Sequence, residues 1–181
     1  MRVISGKAKG IRLDMIEGLE TRPTTDRIKE NIFNLINFDI DGAIVIDLFS
    51  GSGSLGLECA SRGAKSVTLV DNSRKCDQII TENIQKTRLG SNTKFVLSDA
   101  TSFLRRVEAQ SVDIILMDPP YSRDFINPLV ENIISLNLLA EDGMIVIEHA
   151  LKDEVEYDEE ILELHKFKKY GKSGVTILRR K

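Results

Sequence analysis

Four consecutive residues, Asp118-Pro119-Pro120-Tyr121, set a carboxylate, two rigid rings and an aromatic face on one short stretch. Consecutive prolines restrict their own backbone and that of the residue before them, so Asp118 and its main-chain carbonyl are held in direction. A carboxylate and a carbonyl aimed at one point form a pair of acceptors for an NH₂ group. Such a pair localises the lone pair of a planar, poorly nucleophilic amine. Tyr121 adds a surface on which a base taken out of its stack can lie. Taken alone, the same four residues also suit a rigid turn with a capping aspartate and a packed tyrosine.

The second chemical stretch is VIDLFSGSGSLGLE, residues 45–58, with Gly51, Gly53 and Gly56 in the order G-x-G-x-x-G. Read literally, this is the dinucleotide fingerprint, and Asp71 follows 20 positions after Gly51, where an acidic residue would grip a ribose. A dinucleotide requires the loop to accept a pyrophosphate at a helix N-terminus. S-adenosylmethionine carries no phosphate. It requires close packing of its sulfonium chain, with carboxylates for its hydroxyls and ammonium. The small residues Gly51, Ser52 and Gly53 let a ligand approach the backbone. Asp47, just before them, favours a cation and repels a pyrophosphate. Asp71 serves either ligand. Asp99 suits the adenine amino group or, equally, the N-cap of the helix that follows it. Beside Asp118, the loop is read as a site for S-adenosylmethionine. An NAD(P)-binding oxidoreductase is the alternative of another class, although no residue for hydride chemistry is evident.

These residues need a scaffold that brings them to one edge. The runs 43–49, 66–71, 94–99, 113–118 and 143–149 are short, apolar and rich in β-branched residues, as buried strands are. Stretches 55–64, 72–90, 100–109 and 123–139 have helical length and spacing. The alternation specifies an α/β protein with a doubly wound, mostly parallel sheet. Residues 163–180 read as two further strands around a glycine turn, an antiparallel C-terminal hairpin. Residues 1–42 form an appendage expected to dock on the main domain, 43–181. It comprises a small basic-tipped β-hairpin and a helix with Thr24 or Thr25 at its N-cap. Ile28, Ile32, Phe33 and Leu35 or Ile36 make the apolar stripe of that helix.

The net charge of −3 conceals an uneven distribution. Residues 1–12 hold Arg2, Lys7, Lys9 and Arg12 without an acid, and residues 165–181 are likewise basic. Ten acids gather in 141–163 against one basic residue. Clustered charge of this kind can give an acidic protein a basic face. Two cysteines, Cys59 and Cys76, are too few for a disulfide framework and read as thiols of helices or core. His149 and His165 lie apart from any cysteine, so no metal site is expected. With no apolar run of membrane length and no signal-type N-terminus, a cytoplasmic protein is expected.

The glycine stretch followed by DPPY resembles the class I S-adenosylmethionine-dependent methyltransferases that modify exocyclic amines. RVISGKAKGIRL and RPTTDRIKENIFNLI, with the YGKSGVTI tail, narrow the resemblance to the RsmD-type bacterial rRNA (guanine-N2)-methyltransferases over nearly the whole chain. The resemblance implies a Rossmann-like fold with a seven-stranded sheet. The implied reaction is methylation of a guanine N2 amine in 16S rRNA, with a 30S subunit or its assembly intermediate as partner and a monomeric enzyme. It assigns Gly51, Ser52, Gly53 and Asp71 to the cofactor, Asp99 to its adenine, and Asp118 to Tyr121 to the guanine. RNA contact then falls to the basic ends, with Arg2, Lys7, Lys9, Arg22 and Arg27 as candidates. Arg22, Thr25, Arg27 and Lys29 are candidates either for RNA contact or for closing the cofactor site, with a solvated helix face the favoured reading for Arg27 and Lys29. A free aspartate has a pKa of about 3.9, so Asp118 orients the amine and takes the proton only once methylation has made it acidic. DNA adenine-N6 or protein glutamine methylation is the alternative within the same chemistry.

Overall fold

Strand propensity and burial on both faces carry the centre of the molecule. The computed structural model describes residues 1–16, 26–120 and 125–181. Its parallel strands are β1 (Ile44–Leu48), β2 (Ser66–Asp71), β3 (Thr93–Leu97), β4 (Val112–Met117) and β5 (Leu139–Ala150). Two antiparallel strands, β6 (Leu162–Tyr170) and β7 (Ser173–Arg180), complete a seven-stranded sheet in the order β3-β2-β1-β4-β5-β7-β6. The order reverses beside β1, which makes the crevice between β1 and β4 the natural ligand position.

Helices cover both faces. α1 (Asp26–Leu35), α2 (Ser54–Ser61) and α3 (Arg74–Thr87) accompany one core, built on Val45, Val67, Leu69, Ile114, Leu116 and Val146. α4 (Ala100–Leu104) and α5 (Ile126–Ser135) accompany the other, built on Ile46, Leu48, Val70, Ile115, Met117 and Ile147. Alternating residues of each central strand thus enter opposite cores, as a doubly covered sheet requires.

Several element bounds differ from the sequence expectation, and two of them show why. The helix at 100–109 stops at Leu104, and the chain continues in tighter turns, with Arg106 N–H donating to Phe103 and Val107 N–H to Leu104. Strand β5 starts at Leu139 rather than at 143, because Val112 pairs with Leu139 across a register shift. Gly143 fits that irregularity, since a Cβ there would lie 2.9 Å from the Ala140 carbonyl oxygen.

The N-terminal hairpin is closed by a single antiparallel bridge, Arg2 to Arg12. It docks on α2, where Lys7 N–H donates to the Ser61 carbonyl at 2.8 Å and Ala8 N–H to Ser61 Oγ at 2.9 Å. Val3, Ala8 and Leu13 enter the same core as Ile28, Ile32 and Phe33 of α1 and Ile36 just after it, so the apolar stripe lies as expected. The N-cap residues Thr24 and Thr25 lie outside the described residues.

Candidate active site

The sheet register sets four acidic or glycine-rich segments side by side. Leu48 of β1 pairs with Val70 of β2 and with Met117 of β4, and Met117 pairs with Ile147 of β5. Asp71, the glycine loop and Asp118 therefore reach the same edge in that spatial order, at neighbouring-strand spacings of ~4.8 Å, with Glu148 beside them inside β5.

The three glycines of the loop do different work. Gly51 has φ 55°, a left-handed conformation that disfavours a side chain, and faces open space. A Cβ there would meet nothing closer than the Phe49 carbonyl oxygen at 4.0 Å. Gly53, with φ 79°, is the N-cap of α2 and has no side chain with which to cap it. Asp47 supplies the missing acceptor from β1, its Oδ2 taking the Gly56 N–H at 2.8 Å. Gly56 permits close helix–sheet contact, since a Cβ there would stand 2.2 Å from Leu69 Cδ2.

Asp47 is 1% exposed. Burial, and to a lesser degree the charge of Asp71, pushes its carboxyl up to about 7 against the Gly56 hydrogen bond and the charge of Lys29. Asp71 is held by two backbone donors, Gly51 N–H on Oδ2 and Ser73 N–H on Oδ1, both at 2.9 Å. Each of its oxygens retains acceptor capacity for a ribose hydroxyl. Open space at Gly51 beside a fixed carboxylate fits S-adenosylmethionine as well as the residue types do.

Asp99 is an exposed N-cap, its Oδ1 accepting the Ser102 N–H at 2.8 Å, and that bond lowers its pKa. Asp118 is half-buried, Pro119 buried and Pro120 exposed. Tyr121, Arg22 and Thr25 lie outside the described residues. Phe49, at the entry to the glycine loop, also takes a left-handed φ of 62° and packs against Phe125 with ring centroids 5.3 Å apart. The two rings join the loop after β1 to the segment after β4.

Of three polar residues buried behind the loop, Glu58 and Asn83 were not identified from sequence and Lys29 was placed on the wrong surface. Lys29, expected on a solvated helix face, is fully buried. Its Nζ donates to Glu58 Oε2 at 3.0 Å, Ser54 Oγ at 3.1 Å and the Arg2 carbonyl at 3.0 Å. Burial lowers its pKa against the pull of Glu58. Glu58 also accepts from Ile4 and Ser5 N–H and from Arg62 Nε, so every oxygen is engaged by two donors. Asn83 of α3 donates to the Ser52 carbonyl at 2.9 Å and exchanges two hydrogen bonds with the Asp14 backbone. These residues fasten residues 1–14 and α1 to the back of the glycine loop. Lys29 occupies the first position of the stripe 29, 32, 33, 36, and that spacing was the available signal.

Among the RNA candidates, Arg2, Lys7, Lys9 and Arg27 are exposed. Lys7 lines a groove of about 510 Å³ together with Ile11, Lys86, Arg88, Leu89 and Asn92, between the hairpin and the end of α3. Cys59 and Cys76 are both buried, and burial raises both thiols. His149 is buried too, with Nε2 2.8 Å from Thr176 Oγ1 and Nδ1 2.9 Å from the Ala150 carbonyl. Nδ1 must donate to that carbonyl, which leaves Nε2 to accept the threonine hydroxyl.

The sheet order, the antiparallel end and the glycine loop beside the Asp118-Pro119-Pro120 segment define a class I methyltransferase. The family model described as "Conserved hypothetical protein 95" matches residues 1–179. The Bacillus subtilis protein YlbH, provisionally named an rRNA methyltransferase, is 38% identical over 185 residues and covers 100% of each chain. The Escherichia coli K12 "Ribosomal RNA small subunit methyltransferase D" is 33% identical over 153 residues, 84% of this chain and 76% of that one. The solved structure of Escherichia coli yhhF, provisionally described as a methyltransferase, has a TM-score of 0.86 at 32% identity and covers 100% of this chain and 98% of its own. The chain belongs to this RsmD-type methyltransferase family. The membership decides against the oxidoreductase reading of the glycine loop.

Proposed function

We propose that this chain methylates the exocyclic N2 amine of a guanine in 16S rRNA of the small ribosomal subunit. It acts as a monomer on a 30S subunit or an assembly intermediate. The observation that carries the reading is the adjacency of two edge segments. The loop after β1 and the Asp118-Pro119-Pro120 turn after β4 leave neighbouring strands paired at Leu48 and Met117. The names of the relatives supply the RNA and the subunit.

S-adenosylmethionine, when bound, supplies an electrophilic methyl group on a sulfonium. Gly51 would offer it backbone without side-chain obstruction, Ser52 and Gly53 would shape the loop around it, and Asp71 would accept from its ribose hydroxyls. Asp47 holds the start of α2 in place beneath the loop through the Gly56 N–H. Asp118 and its carbonyl accept from the two N2 hydrogens, so the nitrogen lone pair is directed away from the ring plane. Alignment of this kind accounts for most of the acceleration, and no covalent enzyme intermediate is needed. After transfer, the Asp118 carboxylate takes the proton that methylation has made acidic, or passes it to water. Tyr121 stacks on the base. Arg2, Lys7, Lys9, Arg22 and Arg27 contact RNA phosphates, and the groove beside Lys7 extends that basic surface.

Replacing Asp118 by Ala tests the reading directly. Methyl transfer to small subunits should be lost while S-adenosylmethionine still binds in calorimetry. Full activity of the variant would contradict the assignment.

A further inference from the structure

Met117 of β4 and Ile147 of β5 form the last paired position of the two parallel strands. The residues that follow are Asp118 and Glu148. Leu116 and Val146 enter one core, and Met117 and Ile147 the other. Alternation therefore brings Asp118 and Glu148 to the same face, on neighbouring strands ~4.8 Å apart. Glu148 is 4% exposed, deeper than half-buried Asp118, and its antiparallel neighbour Val175 is fully buried. The ligand edge thus carries a second carboxylate one strand beyond the first.

Two carboxylates side by side match a particular base edge. Guanine presents two adjacent donors, the N2 amine and the N1–H. Adenine presents its N6 amine beside N1, which is a bare acceptor. A site built to hydrogen-bond one donor strongly rejects an analogue that lacks it, because its own polar group is left unpaired. We infer that Glu148 selects guanine, its carboxylate accepting the N1–H while Asp118 holds the N2 amine. With N2 on Asp118, either the N1–H edge or the bare N3 edge of guanine faces β5, and the Glu148 carboxylate there favours the N1–H donor. The assignment rests on the N2 reading above and adds the determinant that separates guanine from adenine in a DPPY enzyme.

The test uses 2-aminopurine, which keeps the 2-amino group and has a bare N1 acceptor. Small subunits are reconstituted with unmethylated 16S rRNA carrying guanine or 2-aminopurine at the modified position. The wild-type enzyme should prefer guanine in kcat/KM by about 100-fold, the size expected for one well-formed polar pair. Glu148→Gln places an NH₂ donor opposite N1, so the preference should move toward 2-aminopurine by at least 10-fold. Its affinity for S-adenosylmethionine should match that of the wild type. An equal fall on both bases would mark Glu148 as structural and overturn the assignment. Equal wild-type rates on guanine and 2-aminopurine would overturn it even if the variant failed to fold. Absence of any wild-type methylation of guanine would instead overturn the N2 reading beneath it.

Discussion

Lys29 Nζ lies 3.0 Å from Glu58 Oε2, and both side chains are fully buried. The pair is not isolated. Glu58 accepts from Ile4, Ser5 and Arg62, and Lys29 donates to Ser54 at the start of α2 and to the Arg2 carbonyl. One ion pair therefore fixes the hairpin, α1 and the helix behind the glycine loop together. Breaking a buried pair by removing one partner leaves an uncompensated charge. Lys29→Met should lower the unfolding free energy by roughly 3 kcal/mol, measured in urea. Adding Glu58→Gln should recover part of that loss. A single variant as stable as the wild type would contradict this account of the network.

Asp47 makes stability depend on pH. In the folded protein it holds its proton up to about pH 7, whereas an unfolded aspartate loses it near 3.9. The folded state binds more protons between those values, so its contribution is complete below the lower one and is lost as pH rises through the upper. The slope reaches about 1.4 kcal/mol per pH unit at most. Asp47→Asn keeps an acceptor for the Gly56 N–H and removes the titration. Unfolding measured from pH 4.5 to 8 should show the wild type losing stability relative to the variant. Parallel curves would count against a protonated Asp47.

Gly51 and Gly56 should fail in different ways when changed to alanine. At Gly56 the added Cβ would meet Leu69 Cδ2 at 2.2 Å, so α2 must shift from the sheet. Overpacking of that kind costs about 1–3 kcal/mol. At Gly51 the Cβ enters open space, and only the left-handed φ of 55° opposes it, at about 1 kcal/mol. Gly51→Ala should therefore melt near the wild type yet bind S-adenosylmethionine at least 10-fold more weakly, because that space is the one proposed for the ligand. Equal thermal losses with unchanged binding at Gly51 would refute the distinction.

The contrast also shows what local sequence can reveal. The strands and the glycine loop were legible because each is a short pattern with a local physical cause. Glu58 and Asn83 were not, since their backbone partners Ile4 and Asp14 are 54 and 69 residues away. Lys29 was misread for another reason. Its position matched the helix stripe, but a charged residue type suggested solvent, and only Glu58 makes its burial tolerable. Helix α4 was overextended because the apolar spacing of Phe103, Leu104 and Val107 continues past the last helical turn. The division at residue 42 marks a change of pattern, while the core runs across it from Val3 and Phe33 to Val45.

RNA contact by the basic end predicts a salt signature. Lys7 and Arg88 lie on the same groove, whereas Lys86 is held by Asp14 at 2.8 Å. Each phosphate contact contributes a near-unit slope to the plot of log affinity against log salt concentration. The Lys7→Ala, Arg88→Ala double variant should reduce that slope for small subunits by between about 1 and 2. S-adenosylmethionine binding should be unaffected. An unchanged slope would place the RNA elsewhere.

The most direct test offers methyl-labelled S-adenosylmethionine and the wild-type enzyme to small subunits lacking the modification, to naked 16S rRNA and to DNA, then maps the labelled base. The account predicts N2-methylguanine at one position of 16S rRNA, with no label when Asp118→Ala replaces the wild type. Label on an adenine, in DNA or in protein, or undiminished transfer by the Asp118 variant, would contradict it.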